Sequence, residues 1–217
     1  MFTGIIEQIG SIRSIARSGD SAELSVAAPA LLDDLHLGDS VAVNGACLTV
    51  TDVDATGFRT TAVEETLART NLGRLSSSSK VNLERAMQPT GRFGGHLVNG
   101  HVDGLGVVAR LERRAHSTLP FVECDRSLCR YLVEKGWITV DGVSLTVVDA
   151  TDHGFTVSLI PHTRQVTTLG DLVVGDRVNL EVDILAKYVE RLLGHQEAGS
   201  ASTSRLTPEF LREHGIE

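Results

Sequence analysis

Aromatic residues are scarce in this 217-residue chain: six Phe, two Tyr and one Trp, 4% of the whole. A groove for single-stranded nucleic acid stacks successive bases on aromatic side chains, and this sequence has too few to line one. A basic footprint is also missing, since 20 Lys and Arg stand against 28 Asp and Glu for a formal charge of −8. No Lys/Arg cluster exceeds a pair, which argues against nucleic acid as a main partner. No apolar run approaches the ~20 residues of a membrane span, so no membrane partner is expected. The segment Met1-Phe2-Thr3-Gly4-Ile5-Ile6-Glu7 has no basic region and carries an acid where a signal peptide would still be apolar, which predicts a cytoplasmic chain. The three cysteines, Cys47, Cys124 and Cys129, are odd in number and fit neither a disulfide framework nor a CxxC metal site, so all three read as free thiols. No Walker motif, His/Cys/carboxylate metal set or Ser-His-Asp arrangement emerges from the spacing.

What is present in strength is self-similarity. An offset of 97 residues lays Val43-Asn44-Gly45-Ala46-Cys47-Leu48-Thr49-Val50 on Val140-Asp141-Gly142-Val143-Ser144-Leu145-Thr146-Val147. The register then continues ungapped through Gly57-Phe58 on Gly154-Phe155 to Val81-Asn82-Leu83-Glu84 on Val178-Asn179-Leu180-Glu181. From Val43 to Glu84, 17 of 42 positions are identical, where unrelated sequences of average composition would share roughly two or three. The chain is a duplication. An offset of 96 places Gly4-Ile5-Ile6-Glu7 on Gly100-His101-Val102-Asp103, so each copy opens with its own Gly-initiated strand and the boundary falls within 88–95.

Within each copy the apolar period is two. Val41/Val43, Leu48/Val50, Leu145/Val147 and Val178/Leu180/Val182 alternate with polar or small residues, with Gly, Asn and Asp between them as turn formers. Several short antiparallel strands per copy, with no βαβ alternation, predict an all-β fold: a small closed barrel or a sandwich. One short helix per copy is expected. Asp125 would cap a helix over 126–135 that ends at Gly136, and Pro29 would open an equivalent turn running to Gly38. Past the second copy, Ile184, Leu185, Tyr188, Val189 and Leu192 fall at helical spacing, a stripe that must pack on its own domain or on another subunit. Residues 196–205 read as a flexible tail, and Thr207-Pro208 as the cap of one last turn.

The repeated Gly-x-Cys/Ser-Leu-Thr-Val unit sets Cys47 against Ser144, and Thr49 against Thr146. In a strand, residues two apart face the same side, so each thiol or hydroxyl points with its Thr. Small hydroxyls often merely pack a barrel, but repetition weakens that reading, and Cys in place of Ser suggests two similar sites with unequal tasks. His101 replaces Ile5 in a strand that otherwise repeats. His96 and His101, five apart, would point to opposite faces of a strand and are no ready metal pair. His162 stands in the place of Glu65, while His36, His116, His153, His195 and His214 read as solvated.

Met1-Phe2-Thr3-Gly4-Ile5, Asn44-Gly45-Ala46-Cys47-Leu48-Thr49-Val50, the stretch from Gly95-His96 through Asn99-Gly100-His101-Val102-Asp103-Gly104, and Asp141-Gly142-Val143-Ser144-Leu145-Thr146-Val147, in that order over residues 1 to about 195, resemble the riboflavin synthase family of the α-chain type. The resemblance implies two six-stranded antiparallel Greek-key barrels over 1–94 and 95–183, with a helix and tail over 184–217 that assemble a homotrimer. No cofactor and no metal are expected. The implied reaction is dismutation of two 6,7-dimethyl-8-ribityllumazine molecules to riboflavin and 5-amino-6-ribitylamino-uracil, with the productive pair formed between the first barrel of one subunit and the second of its neighbour. Carried over by position, the first pocket would use Gly4, Ile5 and Ile6 with Cys47, Leu48 and Thr49, then Thr61, Ala62, Val63, Glu64, Glu65 and Thr66. The second would use Gly100, His101 and Val102 with Lys135, Ser144, Leu145 and Thr146, then Leu159, Ile160, Pro161, His162, Thr163 and Arg164. Cys47, His101, Ser144 and Thr146 are the candidates for methyl deprotonation or nucleophile addition, with Asp183, Glu65 and Lys135 as polar support. A lumazine- or flavin-binding carrier is the alternative; such carriers resemble the synthase with a degenerate second motif, whereas this chain keeps Ser144 and His101. Docking on a lumazine synthase shell stays open.

Overall fold

In the computed structural model, residues 1–199 and 212 are described. Met1–Ile184 forms one compact unit and Leu185–Glu217 is assigned to another. In the first unit the alternating segments become twelve strands. They are β1 (Gln8–Ser18), β2 (Ser21–Ala27), β3 (Ser40–Val43), β4 (Ala46–Asp54), β5 (Gly57–Val63) and β6 (Lys80–Arg85), then β7 (Gly104–Arg114), β8 (Ser117–Glu123), β9 (Trp137–Val140), β10 (Val143–Thr151), β11 (Gly154–Val157) and β12 (Arg177–Val182). Both sets close into barrels, in the orders β1-β2-β5-β4-β3-β6 and β10-β11-β8-β7-β12-β9. The two orders are the same cycle shifted by six strands. Bulges at Ile12/Ser14 and Val50/Asp52 recur at Val108/Arg110 and Val147/Asp149, so the duplication extends to the irregularities that bend the strands into closure. The closed-barrel reading stands over the sandwich.

Each barrel is filled by one face of its strands. Leu24, Val26, Val41, Val43, Leu48, Phe58 and Leu83 pack the first; Val122, Ile138, Val140, Leu145, Phe155 and Leu180 pack the second. The turns between β3 and β4 and between β9 and β10 are Asn44-Gly45 and Asp141-Gly142, all four residues with positive φ, as a tight two-residue hairpin requires. The two turns meet. A Cβ on Gly45 would lie 2.7 Å from the Gly142 backbone nitrogen, and the reverse contact is also 2.7 Å.

Around that contact runs a buried polar lattice that obeys the same two-fold repeat. Asn82 Nδ2 donates to the Asp141 carbonyl at 2.9 Å, and Asn179 Nδ2 to the Asn44 carbonyl at 2.7 Å. Asn179 Oδ1 accepts the Asn71 N–H at 2.7 Å, and Asn82 Oδ1 the Thr168 N–H at 2.8 Å. These pairings satisfy groups that would otherwise cost free energy on burial. They fix how the barrels face each other.

Helical structure departs from the sequence-based expectation. Asp125 does cap, its Oδ1 accepting the Ser127 N–H at 2.8 Å, but the helix it opens, α2 (Arg126–Cys129), is four residues long rather than ten. Beyond it the N–H groups of Tyr131 and Leu132 bond three residues back, to Leu128 and Cys129. Leu128 and Leu132 pack against the core of the second barrel. Two further helices, α1 (Glu64–Arg69) and α3 (Pro161–Val166), follow β5 and β11; six residues are too few to display a helical period. A last helix, α4 (Ile184–Gly199), runs seven residues beyond the expected stripe, which ends at Leu192, so 196–199 are helical rather than tail. Leu185, Tyr188, Val189, Leu192 and Leu193 are exposed on it. The side chain of His195 and the expected Thr207-Pro208 cap lie outside the described residues. Among the described residues, no helix is long and apolar enough to cross a membrane.

Candidate functional site

The barrels are closed, yet each has a seam. Pairing of β4 with β5 runs from Asp54–Gly57 to Val50–Thr60 and goes no further, so 47–49 and 61–63 diverge. In the second barrel the ladder between β10 and β11 ends at Val147–Val157, and 144–146 part from 159–160 in the same way. The candidate segments of each barrel are therefore the two lips of one opening. Leu48, Ala62, Leu145 and Leu159 point into the cores, so they can offer a ligand backbone groups only. Thr49, Thr61, Val63, Glu64, Thr146, Ile160, Pro161, His162 and Arg164 are exposed along the lips, and Thr66 and Thr163 are half-buried. Glu65 is tied to Arg69 in an ion pair on α1.

A strap of backbone enters each seam, and here the arrangement differs from the grouping by barrel drawn from sequence. The Gly100 carbonyl accepts the Cys47 N–H at 2.8 Å, and the Gly4 carbonyl accepts the Ser144 N–H at 2.8 Å. Gly4, Ile5 and Ile6 thus lie with Ser144 of the second barrel, where Ile6 packs on the core. Gly100, His101 and Val102 lie with Cys47 of the first, where Val102 does the same. The straps cross each other, Phe2 and Val98 exchanging N–H···O bonds at 2.7 and 3.1 Å. Glycine is required at both contacts. A Cβ on Gly4 would stand 2.6 Å from Ser144 Cβ, and one on Gly100 2.6 Å from Cys47 Cβ, while both residues hold φ of +78°. The two ends align with each other in sequence, so either pairing satisfies the repeat pattern, and only the fold selects the exchanged one.

The two seams differ chemically. Cys47 is half-buried beside Phe2, Ala42, Val98 and Ala86. At the second, Ser144 Oγ lies 2.7 Å from His96 Nδ1, and His96 Nε2 lies 3.3 Å from Thr139 Oγ1. His96 is 5% exposed and stacks on Trp137 with ring centroids 5.6 Å apart. Burial pulls its pKa below the usual histidine value, opposed by the charge of Asp183. In the neutral tautomer protonated at Nε2, Nδ1 can accept from the Ser144 hydroxyl while Nε2 faces Thr139 Oγ1. Sequence reasoning passed over His96 because an offset of 96 gives it no match within the chain. Its neighbour Thr139 was also missed, although the repeat sets it against Ala42.

Lys135 is exposed with φ of +66°, its N–H bonded to the Val147 carbonyl at 2.9 Å, which sets it at the end of the second seam. His101 is exposed. A cavity of about 750 Å³ runs beside the first strap, with walls from Thr3, Ile5, Ser40, Glu84, Ala86 and Met87 rather than from Cys47 or Ser144. Among the described residues, no group of three His, Cys, Asp or Glu side chains could hold a metal ion.

Comparison with known proteins adds to this geometry. The lumazine binding domain matches twice, over residues 3–86 and 99–183. The chain is 49% identical to riboflavin synthase of Actinobacillus pleuropneumoniae and 46% identical to that of Bacillus subtilis, over 216 residues and the full length of both partners in each case. It is 50% identical to that of Mycobacterium tuberculosis over 198 residues, 89% of this chain and 98% of that one. Among solved structures, LumP complexed with 6,7-dimethyl-8-(1'-D-ribityl) lumazine is similar in fold, with a TM-score of 0.75 at 23% identity, over 84% of this chain and 99% of that one.

Proposed function

The chain belongs to the riboflavin synthase family, and from that premise we propose how its two seams divide the reaction. The activity is riboflavin synthesis: two 6,7-dimethyl-8-ribityllumazine molecules dismutate, one giving a four-carbon unit to the other. Each seam holds one lumazine, with backbone groups of the lips and strap along the pteridine edge and Thr and Ser hydroxyls on ring or ribityl oxygens. At the second seam the C7 methyl group loses a proton to Ser144 Oγ as the Ser144 proton passes to His96 Nδ1. The pteridine ring delocalises the carbanion that remains, so the pair need only be moderately basic. At the first seam the Cys47 thiol stands ready to add to the partner lumazine. Thr146, His101, Lys135, Asp183 and Glu65 give polar support. The observation that carries this division is the 2.7 Å Ser144–His96 contact, set in a repeat where the other copy has Cys47 and Ala42.

Two lumazines must also meet in opposed orientation, and holding both converts an encounter into an oriented reaction. The exposed apolar residues of α4 support assembly into a homotrimer that brings the first barrel of one subunit to the second barrel of the next. Exchange of the C7 methyl protons for deuterium, followed by proton NMR, tests the division. S144A and H96Q should each slow enzyme-dependent exchange by about 10²-fold or more, while C47S leaves exchange intact and lowers riboflavin formation. Unchanged exchange in S144A and H96Q would remove the proton-transfer role from this pair.

A further inference from the structure

Each crossed strap is gripped by one buried carboxylate, and the two grips are alike. Glu84 on β6 is 5% exposed; its Oε1 accepts the Thr3 N–H at 2.7 Å and the Thr3 hydroxyl at 3.0 Å, and its Oε2 accepts the Gly4 N–H at 3.0 Å. Glu181 on β12 is 4% exposed; its Oε1 accepts the Asn99 N–H at 2.7 Å and its Oε2 the Gly100 N–H at 3.0 Å. Two successive N–H groups call for two acceptor oxygens, which a carboxylate has and an amide lacks. From there each strap passes its carbonyl to the other repeat, Gly4 to the Ser144 N–H and Gly100 to the Cys47 N–H.

We propose that Glu84 and Glu181 are reciprocal positioning residues: Glu84 in the first barrel sets the Ser144 pocket of the second, and Glu181 in the second sets the Cys47 pocket of the first. The duplication is thereby cross-wired, and neither repeat completes its own pocket. The rival is coupling through the sheet, since Glu84 pairs with Ala42 and Ala42 pairs with Cys47, which would tie Glu84 to its own barrel's pocket. The kinetic consequence rests on the roles proposed above for Ser144 and Cys47, but the wiring does not.

Two reporters already in the chain separate these readings in the full-length protein without substrate. Trp137 is the single tryptophan and stacks on His96 at the Ser144 pocket. Cys47 is the thiol of the other, and its alkylation by iodoacetamide can be read by mass spectrometry apart from Cys124 and Cys129. E84Q should shift Trp137 emission and leave Cys47 alkylation at the wild-type rate. E181Q should leave the emission in place and raise Cys47 alkylation about fivefold, the change in an opening equilibrium that one lost hydrogen bond gives. If a Gln variant fails to fold, E84D and E181D keep the charge but withdraw it by one methylene from the N–H pair, and the same two reporters apply. With substrate, each variant should lose about tenfold or more in kcat with a smaller change in KM, as misplacement of reacting groups gives. Movement of the same-barrel reporter, of both reporters together, or of neither overturns the cross-wiring. A wild-type kcat in a variant whose cross reporter has moved overturns the positioning role. Absence of riboflavin in the wild-type protein would instead strike the functional reading and leave the wiring standing.

Discussion

Replacing Asp141 with Asn tests the buried lattice between the barrels. Asp141 Oδ1 accepts the Asn179 N–H at 2.7 Å and the Asn71 Nδ2–H at 2.9 Å, and the residue is buried. Burial raises its pKa from 3.8 to about 7, against the lowering effect of those two hydrogen bonds. A folded-state pKa above the unfolded one means that stability is fully present below the unfolded value and is lost as pH rises through the folded one. Three units at about 1.4 kcal/mol each amount to about 4 kcal/mol of stability withheld above neutral pH. Asn44 shows that an amide fits the place: in the matching turn its Oδ1 accepts the Asn82 N–H at 2.8 Å, as Asp141 does from Asn179. D141N should keep both acceptor bonds and lose the pH dependence. Thermal unfolding of both proteins at about pH 5 and about pH 8 isolates this group, since every other titration is common to the two. The D141N advantage should be larger at the higher pH by about 2–3 kcal/mol, or roughly 5–10 °C in Tm for a chain of this size. An equal gap at both values, or one that narrows at the higher pH, would show that burial does not raise the Asp141 pKa in the folded chain.

Further predictions concern assembly and the core. C47A and S144A, each inactive alone, should regain about a quarter of wild-type sites when subunits are exchanged at equal ratio, because a site between neighbours needs one intact half from each; no recovery after verified exchange places each site within one chain. A chain ending at residue 183 retains the compact barrel unit but loses the exposed apolar residues of α4, so it should stay folded, sediment as a monomer and make little riboflavin. An active monomer would sink the shared-site model. The Thr118 hydroxyl is buried without a hydrogen-bond partner, so T118V should raise stability by about 0.5–1 kcal/mol in chemical denaturation; a loss of stability would mean that the hydroxyl has a partner in solution.

The fold was legible in the sequence to the level of topology. Period-two alternation and the 17 matched positions exposed two similar β units, and the family resemblance supplied the strand number. The Cys47 and Ser144 motifs were visible for the same reason, being repeated in recognisable context. What stayed hidden depends on contacts between repeats. The exchange of the Gly4 and Gly100 straps leaves the pattern of each repeat unchanged. His96 has no matched partner, so the comparison that revealed Ser144 was silent about the histidine 2.7 Å from it. Glu84 and Glu181 were matched in the sequence but read as strand residues, because nothing along the chain shows which N–H groups a buried carboxylate will meet.

The most direct measurement incubates the purified protein, free of metals and cofactors, with 6,7-dimethyl-8-ribityllumazine and follows riboflavin absorbance. Catalytic turnover is expected, with one riboflavin for every two lumazines consumed, abolished by S144A and by H96Q. Lumazine that binds and persists unchanged would contradict it and make the paired barrels a carrier.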